Sequence, residues 1–156
     1  MSNSCPCGIG SAASRAKVTQ EIRMAVARFR KTQYYDEEQG AIFFKDHKGE
    51  EAPFGTCTCS AGWMAEELGL DRCLILGYLS RNNPKARAGR DEGGHDFLVV
   101  DNNVIVDVWL SELYRGPLIT QMSDWKAVRK WYGEPSQWER VSFVDMMVSR
   151  VPVGPR

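Results

Sequence analysis

The sequence predicts an α+β fold in which helices pack on an antiparallel sheet, and three observations carry that reading. Apolar residues recur at steps of three and four near the N-terminus, a second helical stripe spans 61–68, and short apolar, β-branched runs follow it. Runs of strands beside helices, without βαβ alternation, are the pattern of an α+β domain.

The first stripe is Val18, Ile22, Ala25, Val26 and Phe29, which places a helix from Val18 to about Gln33. Residues 1–15, rich in Ser, Gly and Ala, read as a flexible arm ahead of a single domain over 16–156. The basic residues on the other side of this helix, among them Arg23, Arg28 and Arg30, read as a solvated face. Residues 41–44 predict a brief strand before the turn-prone stretch 45–53. In the second helix Ala61, Met64, Ala65 and Leu68 share one face, and Gly69 supplies the residue that ends it.

Residues 73–79 then read as a buried strand, with Cys73 a core thiol, and 81–94 as a mobile loop of Asn, Pro, Gly and mixed charges. Residues 95–101 and 104–109 predict a hairpin. From Leu118 the pattern around Trp125, Val128 and Trp131 is helical, and Val141 opens a last apolar stretch.

Composition narrows the function classes. Twenty basic side chains balance twenty acidic ones, so no polyelectrolyte surface marks nucleic acid as a partner. No run approaches the roughly 18 apolar residues of a membrane span, and the first residues lack the charged and apolar regions of a cleaved signal. Five cysteines cannot all pair within one chain, so at least one thiol is free, as expected in a reducing compartment. The pairs Cys5, Cys7 and Cys57, Cys59 have one-residue spacings, tighter than those of structural zinc sites, and the expectation is no metal and no cofactor.

One constellation carries chemistry. Cys57 lies at the start of the second helix, where unpaired backbone N–H groups favour a thiolate and can hold an oxyanion. His95 follows Gly93-Gly94 and opens a strand, which suggests an exposed ring at the sheet edge. Strand parity tests the third member. A two-residue loop at Asn102-Asn103 sets His95 opposite Leu110 and leaves Asp107 on the wrong face. A three-residue loop, Asp101-Asn102-Asn103, sets Phe97 opposite Asp107 and His95 diagonal to it on the same face. That loop is expected, with Asn103 in the left-handed region, while Asp96 points to the opposite face. Cys59 is the alternative nucleophile, although the bulkier Trp63 and Met64 follow it where Ala61 follows Cys57.

These residues resemble a known superfamily. Gly55-Thr56-Cys57 with Ala61 is similar to the G-x-C-x-x-x-A opening of the nucleophile helix in papain/transglutaminase-like enzymes. Segment 69–78 resembles the strand that follows that helix, and 95–100 with 104–107 resembles the histidine and aspartate strands in the same order. The resemblance covers about residues 55–110. It implies a papain-like fold, a nucleophile helix packed on a small antiparallel sheet, and a Cys57, His95, Asp107 triad. The short spacing is most similar to bacterial toxin and effector domains that deamidate glutamine. Those imply a glutamine-bearing protein substrate and either a cytoplasmic location or export without a cleaved signal. Peptidases and transglutaminases share the triad, and an interaction domain that merely keeps the fold is the rival of a different class.

Overall fold

The computed structural model describes residues 12–54, 56–144 and 147–153. Helix α1 (Ala12–Lys31) buries Ile22, Ala25, Val26 and Phe29 and half-buries Val18, the stripe that periodicity marks. It begins before residue 16, so residues 12–15 of the expected arm are helical, and the rest of the arm lies outside the described residues. It stops at Lys31 rather than Gln33 because the Thr32 hydroxyl and N–H both donate to the Phe29 carbonyl and Gln33 is already in a strand. Two residues of its basic face are engaged rather than merely solvated: Arg28 pairs with Glu67 and Arg30 with Glu112.

Strands β1 (Gln33–Asp36), β2 (Ala41–Lys45) and β3 (Glu51–Pro53) form a small antiparallel sheet, of which the sequence reading had only β2. The turn before β3 is held to α2 (Cys57–Leu68) by His47, whose two ring nitrogens reach Glu66 and Glu67 at 2.8 Å. Helix α2 ends at Gly69, whose positive φ and bond to the Ala65 carbonyl make it the expected terminator.

The main sheet has six strands in the order β7-β6-β5-β4-β8-β9, every neighbouring pair antiparallel. They are β4 (Cys73–Leu79), β5 (Gly94–Val100), β6 (Val104–Val106), β7 (Ile119–Gln121), β8 (Glu139–Val144) and β9 (Met147–Pro152). Both of its faces are covered. Leu98, Val100, Val104 and Val106 pack with α1 and α2, whereas Phe97, Val99 and Ile105 pack with Val128 and Tyr132 of α4 (Trp125–Tyr132). Burial on both sides explains why β4 and β5 read as continuous apolar runs rather than alternating ones.

The segment expected to be a mobile loop, 81–94, is tied down. Its Asn83 side chain bonds Tyr132 and Glu134 at 3.0 Å each, Ala86 and Ala88 are buried, and Tyr78 Oη donates to the Ala88 carbonyl at 2.7 Å. Similarly, 107–109 does not continue a strand: α3 (Val108–Tyr114) begins there. Residues 119–121, expected to be helical, form β7, and Trp125 is exposed. Among the described residues no helix is long and apolar enough to cross a membrane.

Candidate active site

The hairpin places the histidine and the aspartate. Leu98 pairs with Val106 and Val100 with Val104, the register that a three-residue loop requires. Asp101 and Asn102, not Asn103, take positive φ, and Asn103 N–H bonds the Val100 carbonyl at 3.0 Å, so the tight turn sits one residue earlier than expected. The register is unaffected, because Asn103 still occupies the third loop position.

His95 and Asp107 therefore meet: His95 Nε2 lies 2.6 Å from Asp107 Oδ2. Asp107 is not a strand residue but the N-cap of α3, its Oδ1 accepting the Leu110 N–H at 3.0 Å. Tyr132 Oη donates to the other oxygen, Oδ2, at 3.0 Å. Three donors thus satisfy a carboxylate that would be costly to bury unpaired. Tyr132 escaped the sequence reading. Its only signal is the four-residue step from Val128, which marks a core position and implies that its hydroxyl needs a partner.

The expected exposure of His95 is wrong. Strand β5 lies inside the sheet, and the imidazole is fully covered by Trp109, with ring centroids 4.8 Å apart, and by Phe97, Tyr78 and Tyr132. Burial by itself would lower the pKa of the ring. The charge and hydrogen bond of Asp107, joined by Cys57, outweigh it and push the pKa up to about 10. The other ring nitrogen, Nδ1, is buried without a well-formed hydrogen bond, yet the Cys57 sulfur is close enough to add to the upward shift. Such contacts often tighten only when substrate binds.

Cys57 opens α2, whose N-cap Thr56 makes no side-chain cap. Its sulfur accepts the Asp96 backbone N–H at 3.4 Å. Cys57 and Cys59 face different surroundings: Cys57 packs on the Trp109 and Tyr132 side, and Cys59 on the α1 side. Burial, then the neighbouring Cys57, raises the Cys59 thiol, and burial first raises Cys73 to about 11. Of the described thiols, Cys57 alone lines the cleft that holds His95.

That cleft, about 300 Å³, is also lined by Thr58, Tyr78, Glu92, Asp96, Trp109 and Arg150. As expected, Asp96 turns away from the His95 face. Its buried carboxylate takes a bidentate pair from Arg150 of β9, at 2.8 and 3.0 Å, and a bond from Thr58 Oγ1. Gly77 permits this: a Cβ there would stand 2.0 Å from Asp96 Oδ1. Arg150 too escaped the sequence reading, being a single charged residue in an apolar strand.

The His95 shift fixes a pH dependence. A pKa raised from the usual 6.5 to about 10 contributes stability that is complete below 6.5 and lost as pH rises through 10. The expected outcome is that urea midpoints of wild type and Asp107→Asn converge as pH goes from neutral to about 10.

Among the described residues no group of three or more His, Cys, Asp or Glu is placed to hold a metal ion, and Cys5 and Cys7 lie outside them. No family model matches the chain, and no curated protein or solved structure matches it either.

Proposed function

We propose that the chain is a cysteine-dependent amidohydrolase of the papain/transglutaminase-like kind, which deamidates a protein glutamine. The observation that carries the reading is the buried imidazole of His95, held through Nε2 by Asp107 while its Nδ1, beside Cys57 in a cleft, is left without a well-formed hydrogen bond. An imidazole fixed at one nitrogen by a carboxylate keeps the other for proton transfer to and from a nucleophile.

In this reading Cys57 Sγ attacks the carboxamide carbon, and N–H groups of the first turn of α2 hold the oxyanion. His95 gives its proton to the departing ammonia as the C–N bond breaks, leaving a thioester. His95 then takes a proton from water, whose oxygen attacks the thioester carbon; the C–S bond breaks and the sulfur is returned with the glutamate product. Asp107 keeps the ring oriented throughout. A cleft of about 300 Å³ suits one side-chain carboxamide.

The test incubates the protein with glutamine-containing peptides and proteins and analyses the products. Ammonia release with the peptide chain intact, absent in Cys57→Ala, is the expected result. Chain scission would instead make the protein a peptidase, and incorporation of an added amine would make it a transglutaminase. No product from any substrate, with partner binding indifferent to thiol alkylation, would leave an interaction domain.

A further inference from the structure

Tyr132 touches both His95 and Asp107, although neither bond making nor proton transfer needs it. It is fully buried at the end of α4, and its carbonyl is pinned by the Asn83 side-chain amide at 3.0 Å and the Trp138 indole N–H at 2.8 Å. Its ring lies on His95, with centroids 6.2 Å apart and planes 20° from parallel, and packs against Phe97 at 4.6 Å. A phenylalanine would fill that space without the cost of burying a hydroxyl.

The hydroxyl is aimed. It donates at 3.0 Å to Asp107 Oδ2, the oxygen that faces His95 Nε2 at 2.6 Å, while the other oxygen, Oδ1, accepts the Leu110 N–H. Tyr132 and His95 therefore share one acceptor. A second donor draws charge from that oxygen, so the carboxylate holds the imidazole proton less firmly than it would with His95 alone. Burial first, then the charge of Asp107 and the hydrogen bond to it, push the phenol well above its usual pKa, so it remains a donor across the working pH range. The other groups facing the pair are Tyr78 of β4, Thr120 of β7 and Cys57 of α2, and none of them is cationic. A ring that gives a proton to ammonia and then takes one from water needs an affinity between the two extremes.

We propose that Tyr132 is a positioning residue of the proton-transfer group, whose hydroxyl holds Asp107 Oδ2 and loosens that oxygen's grip on the His95 proton. The proposal rests on the Cys57 and His95 reading, and it adds the residue that sets how readily the ring gives its proton up. Tyr132 acts only through Asp107, so the carboxylate is required for any effect of its loss.

The test compares wild type with Tyr132→Phe, which keeps the ring and removes the hydroxyl. The chain has two histidines, so in isotope-labelled protein the variant His47→Gln assigns the imidazole resonances of His95. In Tyr132→Phe the Nε2–H signal is expected to move downfield, and the His95 titration midpoint, about 10 in wild type, to rise by about half a unit or more, the effect of one lost charge-assisted hydrogen bond. In an Asp107→Asn chain the same substitution should move neither signal further. Glutamine deamidation should fall about three- to tenfold while Cys57 alkylation at neutral pH holds, a split that a general loss of packing would not produce. A His95 midpoint that stays or falls in Tyr132→Phe would overturn the proposal, as would a shift that persists in Asp107→Asn. If the shifts appear as expected but wild type releases no ammonia from any glutamine, the proposed function is what has failed, and the role of Tyr132 in it falls too.

Discussion

Replacing His95 with alanine is expected to lower ammonia release by about 10²- to 10⁴-fold, the usual contribution of a positioned acid–base group. His95 is the titratable side chain of the cleft whose proton is held by a second buried group, Asp107, and it neighbours the sulfur. Without it neither the ammonia nor the attacking water has a partner for its proton. Alkylation of Cys57 should slow as well, while Cys59 and Cys73, whose thiols burial raises, should be unaffected. A His95→Ala protein that released ammonia as wild type does would remove the mechanism. Asp107→Asn should cost less than Cys57→Ala, because a residue that orients another is less indispensable than the one that forms the bond.

The second large effect lies at Arg150. Its guanidinium neutralises the buried Asp96 carboxylate, whose own backbone N–H reaches the Cys57 sulfur. Arg150→Gln strands that charge, and breaking such a pair costs on the order of 3 kcal/mol. An uncompensated carboxylate near Cys57 also opposes a thiolate there. Cys57 alkylation is therefore expected to slow about tenfold or more, the factor that 1.4 kcal/mol of lost stabilisation would give. Adding Asp96→Asn to the same chain removes the stranded charge, so it should restore most of both stability and rate. A double variant as poor as Arg150→Gln alone would mean that Arg150 acts through packing and not charge.

What could be read from the sequence follows from how local each signal is. The stripe of α1 and the apolar face of α2 repeat within a few residues, and burial follows them. The His95 and Asp107 contact was legible for a related reason: both residues flank one hairpin, so loop length alone decides whether they share a face. Tyr132 reaches Asp107 across 25 residues and Arg150 reaches Asp96 across 54, and no local period encodes such contacts. Val104 to Val106 run into Asp107 and suggest a strand residue there, yet its side chain caps α3. The loop 81–94 differs from expectation for the same reason. Its polar composition suggests solvent, but Asn83 spends its amide on the end of α4. Gly93-Gly94 ahead of His95 suggests an exposed ring, but Trp109 of α3 and Tyr132 of α4, which cover it, come from later in the chain.

The central claim is that Cys57 is chemically distinct from the other cysteines because of where the fold puts it. Limiting iodoacetamide at neutral pH, with every modified thiol mapped by mass spectrometry, tests this most directly. The account predicts that the label enters Cys57 first, about tenfold or more ahead of Cys59 and Cys73. Labelling that spreads evenly and slowly over all the thiols would contradict it.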